Sequence, residues 1–548
     1  MKLYDSKYNI LGIIGGTHSC GVAYVEKGNV VAVLEEERLT RVKPWKDFEA
    51  DFWRYPLQGL HLLKTKYDVN FDNIDYVTSF LEYNVVKNML KSTINFDLPE
   101  DKFIKTEHHE THCALAYYLS GFKDDTLVIA IDGSGEYHSS KYYLGSNGEM
   151  KYIDGISIYQ NSLGMFYAAI TELLGFKRLK DEGKVVGMAA HGELMKDVYD
   201  ALDKVVTIEG LQTNKSNYPG SDSAGGDVFL NTYKNFFEVV GSRCWKNPQT
   251  IKNIAYTAQL LFENKILELV DNIHKMYPDV KKLALSGGIF ANVKLNKKIN
   301  ELDWVDEVFI TPPMGDEGLM LGSIILAMKQ LHPYFHVTKL PNVYFGNEYK
   351  DYEINEAARS VLGTYNYIPY NIDFVTSLLL NKKILGLYQG KSEHGPRALG
   401  NRSIICEAIN PETYDIINSK LQRNDYMPFA PAVLKEDASR LFQVKKSAYT
   451  AEFMTMLYDT NPEWADKLPT VTHPKDKTAR IQIVTEDSNP MFHQILKSYK
   501  EKTGFGCLVN TSFNIHNEPI VDKPEEAFTH LKNGIIDYLI TPYGIYSK

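Results

Sequence analysis

Apolar positions in this chain fall into short runs that end in glycine-rich or acidic turns, separated by longer stretches of helical period. Residues 9–15 alternate and then run apolar into Gly15-Gly16-Thr17-His18-Ser19. Residues 21–25 and 30–34 read as strands joined at Lys27-Gly28-Asn29, a hairpin signal. The order strand, glycine turn, strand returns further on. An apolar run over 126–131 meets Asp132-Gly133-Ser134-Gly135, and 141–144 reads as the second strand. Just ahead of it, Ala114, Leu115, Tyr118 and Leu119 predict a helix over 106–119. A helical pattern covers 162–174, and the polar segment 207–250, rich in Ser, Gly and Asn, reads as an insertion or lid. Residues 283–286 predict a strand that opens into Gly287-Gly288 and a helix carrying Asn292 and Asn296. Residues 308–311 predict another, followed by Pro312-Pro313-Met314-Gly315-Asp316-Glu317-Gly318 and a helix from Leu319. The pattern loosens around Leu340-Pro341, which places a domain boundary there. A second α/β unit follows, with strands over 383–388 and 507–509.

A chain of 548 residues is long enough for more than one domain with a real core in each. The class is α/β. A phosphate-gripping turn between paired strands, used twice, is how the actin-like ATPase fold with its duplicated ribonuclease H-like sheet is built, because backbone N–H groups in such turns make anion nests. Composition is ordinary for a globular protein, 44% hydrophobic and 24% charged. A net charge of −9 argues against non-specific binding to a phosphate backbone and leaves room for a local basic pocket. The first residues carry no signal-peptide pattern, and no apolar run approaches membrane-spanning length. Cys20, Cys113, Cys244, Cys406 and Cys507 form no C-x-x-C pair and read as reduced thiols of a cytoplasmic protein.

Candidate chemistry concentrates first at 108–136. His108 and His112 are four residues apart, so a helix puts both imidazoles on one face, where they can share a metal. The strand over 126–131 delivers Asp132 at its carboxyl end, where ligands bind in open α/β sheets. Two imidazoles and a carboxylate suit Fe(II), Mn(II) or Zn(II). The same spacing also suits a surface or helix-capping histidine pair. Asp316 is a fourth candidate ligand, or an N-cap for the helix that follows. Glu182 and Lys184 suit contact with a phosphate or a metal-bound water, or an exposed charged turn. Gly287-Gly288 lets a planar base lie against backbone, and the helix after it favours a phosphate at its N-terminus. In the second unit, the stretch from Gly386 to Ser392 is one residue short of a P-loop. What remains is a loop with Lys391, Arg397 and Arg402, suited to phosphate or carboxylate recognition. Arg423, Arg480 and the turn Asn510-Thr511-Ser512-Phe513-Asn514 extend it toward a nucleotide or acyl-phosphate pocket; a solvated charged face is the other reading.

Together these motifs closely resemble the O-carbamoyltransferase family of antibiotic-tailoring and nodulation-factor enzymes (NodU, CmcH and TobZ types). The resemblance runs nearly end to end. It includes His18, Glu35-Glu36-Glu37-Arg38-x-x-Arg41, His108-His109-x-x-His112 and Asp132-Gly133-Ser134-Gly135-Glu136. It continues through Ser162-Leu163-Gly164, Glu182-Gly183-Lys184-Val185, Ser286-Gly287-Gly288 and Gly315-Asp316-Glu317-Gly318. The run from Gly395 to Ser403, Pro428-Phe429-Ala430-Pro431 and Asn510 to Asn514 complete it. The resemblance implies an actin-like domain over 1–340, similar to the tRNA threonylcarbamoyl transferase TsaD, and a YrdC-like α/β domain over 341–548. It implies that the second domain makes carbamoyl adenylate from carbamoyl phosphate and Mg(II)-ATP. The metal site of the first, with Fe(II) expected and Mn(II) or Zn(II) as alternatives, then passes the carbamoyl group to a hydroxyl. Carried over by position, His108, His112, Asp132 and Asp316 would hold the ion. His18 would be the general base, with Glu136 and Lys184 also assigned to catalysis. Gly133, Gly287, Gly288, Asn292, Lys391, Arg397, Arg402, Arg423, Arg480, Asn510, Ser512 and Asn514 would bind the nucleotide.

The chain departs from the family pattern at several positions. Ser19 follows His18 where many members have Asp, Met427 replaces Arg, Asn424 an acid and His394 an aromatic residue. Asn517 replaces Gly, a change tolerated because Asn also visits the left-handed region. These changes bear on the acceptor, expected to be a small hydroxylated molecule: a sugar, a natural product or a hydroxymethylated nucleotide. Acidity disfavours duplex DNA, and a homodimer is compatible with the sequence. A threonylcarbamoyl transferase of tRNA modification would need a basic RNA-facing surface. A non-enzymatic actin-like ATP-binding regulator would leave the histidine pair and the arginine-rich second domain unexplained. A zinc peptidase fails because residues 108–112 lack the H-E-x-x-H order.

Overall fold

Strand β1 (Asn9–Ile14) pairs with the hairpin β2 (Gly21–Glu26) and β3 (Asn29–Glu35), joined through Lys27 and Gly28 at φ 47° and 83°. Both turn residues take the left-handed conformation that a two-residue hairpin asks for. On the other side of β1 lie β4 (Tyr76–Ser79) and then β5 (Phe103–Lys105), both parallel to it. The sheet order is β3-β2-β1-β4-β5. The computed structural model describes residues 1–16, 19–43, 55–215, 247–332, 334–336, 338–422 and 428–548. Residues 216–246, most of the polar segment, thus lie outside the described residues.

The same sheet is built a second time. β6 (Thr126–Ile131), β7 (Ser140–Ser146) and β8 (Glu149–Asp154) form the antiparallel trio. After the short ribbon β9 (Ile208–Glu209) and β10 (Gln212–Thr213), β11 (Lys282–Ser286) and β12 (Glu307–Ile310) add on parallel to β6. The order β12-β11-β6-β7-β8 is the first sheet's order read from its other edge. All six residues of β6 are buried, which is why it reads as a continuous apolar run rather than an alternating one. Each of its Leu, Val and Ile side chains contributes about 1.5–3 kcal/mol by leaving water. This twice-used topology is the actin-like, duplicated ribonuclease H-like fold expected from the sequence.

The C-terminal part carries a mixed eight-stranded sheet. Its strands are β13 (Asn366–Pro369), β14 (Leu385–Tyr388), β15 (Arg402–Glu407) and β16 (Ala430–Leu434), with β19 (Gln482–Val484), β20 (Cys507–Ser512), β21 (Tyr538–Ile540) and β22 (Gly544–Ser547). They run in the order β13-β22-β21-β14-β15-β20-β16-β19, and β17 (Tyr458–Asp459) and β18 (Thr478–Ala479) make a separate ribbon. Fold class is therefore α/β throughout, as expected.

By packing, the chain divides into two compact units, Met1–Lys105 with Leu340–Lys548, and Thr106–Lys339. These units are not the expected domains 1–340 and 341–548, since Met1–Lys105 groups with Leu340–Lys548. Residues 1–105 pack with the C-terminal part because backbone and side chains bond directly: Val33 N–H donates to Phe345 O at 2.7 Å and Lys391 Nζ to Val31 O at 2.5 Å. Packing and duplicated topology thus divide the chain differently. Among the described residues no helix is long and apolar enough to cross a membrane, and Cys20, Cys113, Cys406 and Cys507 are buried and joined in no disulfide.

Candidate functional site

The helix His108–Ser120 begins where Glu107 caps it, its carboxylate accepting Glu110 N–H at 2.7 Å, and ends at Gly121 in the left-handed conformation. Its period places His108 and His112 on one face. His108 Nε2 lies 3.7 Å from Asp132 Oδ2 and 3.4 Å from Asp316 Oδ1; His112 Nε2 lies 3.3 and 3.4 Å from the same two atoms. The four donor atoms fall within 4.8 Å of one another. Asp132 follows the last residue of β6, and its Oδ1 accepts Gly133 N–H at 2.7 Å, leaving Oδ2 to face the imidazoles. Asp316 opens a 3-10 turn capped by Gly315, and its side chain caps neither that turn nor the helix Leu319–Leu331. The surface-pair and capping alternatives are thus not the arrangement found.

The surroundings prepare the quartet. Ser286 Oγ, at the end of β11, donates to Met314 O at 3.3 Å and lies 3.0 Å from His112 Nδ1. With its one hydrogen spent, the hydroxyl accepts from Nδ1–H and turns Nε2 toward the carboxylates. Gly287 (φ 102°) and Gly288 pass close by: a Cβ on the first would sit 2.1 Å from Ile131 O, and on the second 2.9 Å from Asp132 Oδ1. Burial disfavours a charge on His112, but Asp132 and Asp316 outweigh it and raise its pKa to about 9. Burial likewise opposes ionisation of Asp132, and the two imidazoles overcome it, holding the carboxyl well below its usual range. The neighbouring His109 is pushed well below the usual imidazole range by burial and by His108 and His112.

These residues fit a divalent ion. His112 Nε2 and Asp316 Oδ1 are buried and have no hydrogen-bond partner. Donors held about 2.1 Å from one ion in a tetrahedron stand about 3.4 Å apart, close to the spacings found.

The other expected residues fall in several places. Glu136 is half-buried beside the quartet, its Oε2 3.4 Å from His108 N. Lys184 pairs with Asp181 at 3.0 Å at the start of the helix Glu182–Ala189. Asn292 caps the helix Val293–Asn300 and belongs to a buried network with Gln259, Glu263 and Tyr167. His18 and Arg423 lie outside the described residues, as do Asn424 and Met427. In the C-terminal part, Arg397 and Arg480 are close enough that burial and the Arg397 charge hold the Arg480 guanidinium well below its usual pKa. Arg480 Nε donates to Met454 O at 2.5 Å, and its Nη2 is buried without a hydrogen-bond partner. Asn510 Nδ2 reaches Gln482 Oε1 at 2.7 Å and Ala398 O at 3.2 Å, tying β20 to the residue after Arg397. Asn514 Nδ2 donates to Ile515 O and Glu518 O, and Ser512 is half-buried at the end of β20. Asn517 adopts φ 67°, the conformation anticipated for its Gly replacement.

Arg402 faces the other way. It is fully buried, stacks 3.9 Å over the Tyr388 ring, and donates to four backbone carbonyls: Gln389, Asn401, Asn347 and Gly390 at 2.7–3.3 Å. Those bonds make it part of the loop's framework. Glu393, to which the sequence reading assigned nothing, accepts N–H bonds from Leu399, Asn401 and Arg402 through Oε1. Its only signal was a carboxylate two residues before Gly395-Pro396-Arg397.

Two family models match this architecture, "Carbamoyltransferase N-terminus" over residues 79–325 and "Carbamoyltransferase C-terminus" over 376–548. An uncharacterized protein of Methanocaldococcus jannaschii is 31% identical over 553 residues, 98% of this chain and 99% of its own. Nodulation protein NolO of Bradyrhizobium diazoefficiens is 30% identical over 443 residues, 79% of this chain and 77% of its own. The 3'-hydroxymethylcephem-O-carbamoyltransferase of Amycolatopsis lactamdurans is 26% identical over 464 residues, 84% and 83% of the two chains. This chain belongs to the carbamoyltransferase family. Within it, the relatives place the chain with the nodulation and cephem type.

Proposed function

We propose that this protein is an ATP-dependent O-carbamoyltransferase acting on the hydroxyl of a small molecule, a sugar, a natural product or a hydroxymethylated nucleotide. The observation that carries the reading is the quartet His108, His112, Asp132 and Asp316, within 4.8 Å of one another, in a member of the carbamoyltransferase family. We assign group transfer to residues 1–340 and activation to 341–548.

In activation, water cleaves carbamoyl phosphate into carbamate and inorganic phosphate, and a carbamate oxygen then bonds to the α-phosphorus of Mg(II)-ATP as the bond to the departing pyrophosphate breaks. Arg397 and Arg480, whose charges bear on one another where Arg480 is buried, suit the phosphate oxygens. In transfer, the acceptor hydroxyl attacks the carbamoyl carbon and AMP departs. His108, His112, Asp132 and Asp316 would hold the divalent ion, Fe(II) in first place with Mn(II) or Zn(II) as alternatives, which offsets negative charge on the reacting oxygens. His18 is assigned as the base that takes the hydroxyl proton. Ser286 keeps His112 in the ligating tautomer. Glu136 and Lys184 are assigned to orienting the acceptor and the leaving phosphate.

The test is pyrophosphate release from ATP without acceptor. Release that requires carbamoyl phosphate is expected; release indifferent to it, or dependent on threonine and bicarbonate instead, would overturn the reading.

A further inference from the structure

Glu35 and Arg38 lie one helical turn apart, at the end of β3 and within the short helix Glu36–Thr40, and both reach one residue, Gly395. Gly395 N–H donates to Glu35 Oε1 at 2.6 Å, and Arg38 Nη2 donates to Gly395 O at 2.6 Å. Arg38 Nε also meets Glu35 Oε2 at 3.3 Å, and the pair is buried, 8% and 3% exposed. An ion pair is costly to bury unless its remaining donors and acceptors are used. Here Glu35 Oε1 and Arg38 Nη2 are used to grip one peptide on both sides, and Arg38 Nη1 is buried without a hydrogen-bond partner.

The gripped residue matters. Gly395 has φ 106°, a conformation reserved in practice for glycine. Pro396 then restricts the chain immediately before Arg397. From the far side, Glu393 gathers the N–H groups of Leu399, Asn401 and Arg402. One further turn along, Arg41 donates to Ile520 O at 2.6 Å and Pro519 O at 2.8 Å. That segment is bound in turn by Asn514 through Glu518 O at 2.9 Å. A single motif, Glu35-x-x-Arg38-x-x-Arg41, therefore holds two separate stretches of the C-terminal part.

We propose that Glu35, Arg38 and Arg41 are positioning residues for carbamoyl phosphate activation. They act through Gly395 and through Pro519-Ile520, setting the loop that presents Arg397 to an anionic substrate. This rests on the activation step proposed above.

The experiment uses the full chain with R38M and R38K. Pyrophosphate release is measured against carbamoyl phosphate and ATP, and amide exchange is followed over 393–402. R38M is expected to raise KM for carbamoyl phosphate about tenfold or more, with kcat changed less than about threefold, and to speed exchange in the loop. R38K is expected to recover part of both. A lower yield of active protein with unchanged KM and exchange would mark a merely structural role and overturn the proposal. If R38M does not fold, E35Q carries the same measurements. It keeps an acceptor for Gly395 N–H but removes the charge facing Arg38, so a smaller rise of about threefold is expected; no change in KM or exchange overturns the proposal. Should the unaltered protein release no pyrophosphate with carbamoyl phosphate, the activation reading falls by itself. Loop exchange then decides the clamp alone.

Discussion

Asp132 Oδ2 stands 3.3 Å from His112 Nε2, a carboxylate at a strand end aimed at an imidazole on the second turn of a neighbouring helix. Without a metal the two form an ion pair; a metal held by the quartet would take both as ligands.

Replacing one ligand separates the two half-reactions. His108→Ala is expected to reduce bound metal from about one ion per chain to a small fraction, and second-sphere losses in other sites set a floor of about tenfold in affinity. Carbamoyl transfer should vanish while carbamoyl-phosphate-dependent pyrophosphate release persists. Metal analysis with both assays checks this, and surviving transfer would show the metal assignment to be wrong.

Metal uptake should depend on pH with a definite sign. In the metal-free protein the pKa of His112 is raised to about 9 by Asp132 and Asp316, against the effect of burial. The pairing therefore stabilises the metal-free fold fully below about 6.5 and is lost as pH rises through about 9. A cation must displace that proton, so apparent affinity should climb about tenfold per pH unit and level off above about 9. Calorimetric titration with Mn(II) at several pH values measures the slope; a flat profile would contradict it.

Arg402 is expected to govern stability before it governs binding. Arg402→Met removes a donor from four carbonyls: those of Asn401 and Asn347 keep the N–H groups of Gln389 and Ser392, while those of Gln389 and Gly390 lose the guanidinium, and an unmet group within the fold costs about 1–3 kcal/mol. A loss of about 3 kcal/mol or more in urea unfolding is expected. Arg402→Lys should recover only part, since an ammonium has three donors and no planar fork to stack on Tyr388. A variant of full stability with a raised KM would instead assign Arg402 to the anion.

Gly287→Ala should disturb the metal quartet through backbone alone. At φ 102°, with its Cβ 2.1 Å from Ile131 O, the substitution forces β6 and β11 apart beside Asp132. A cost of roughly 2–4 kcal/mol is expected, together with weaker metal retention. Gly183→Ala is the control: nothing lies within 4 Å of its Cβ position, so unfolding should shift by no more than about 1 kcal/mol.

Several elements were legible before any coordinates. The strand expected over 126–131 is Thr126–Ile131, because a buried apolar run bounded by polar residues has few other outcomes. The helix expected over 106–119 is His108–Ser120, shifted because the Glu107 side chain, rather than Thr106, closes its first turn. His108, His112 and Asp132 were readable as a set because helical period and strand ends are local rules. Asp316 was readable as a fourth candidate but not apart from a helix cap, since a carboxylate before a helix serves equally as one; the structure shows it capping neither element.

Local sequence, then, determined the strands, the twice-repeated glycine turn, the histidine face and the supply of arginines, all of which follow from period, turn chemistry and residue type. Only the tertiary structure decided where each charged side chain is spent. Arg480 feels the charge of Arg397, whereas Arg402 turns inward onto carbonyls. Arg38 finds Gly395 across 357 positions. A guanidinium can bond phosphate, carboxylate or backbone with equal competence, and which acceptor it meets is settled by contacts between distant segments that leave no period in the chain.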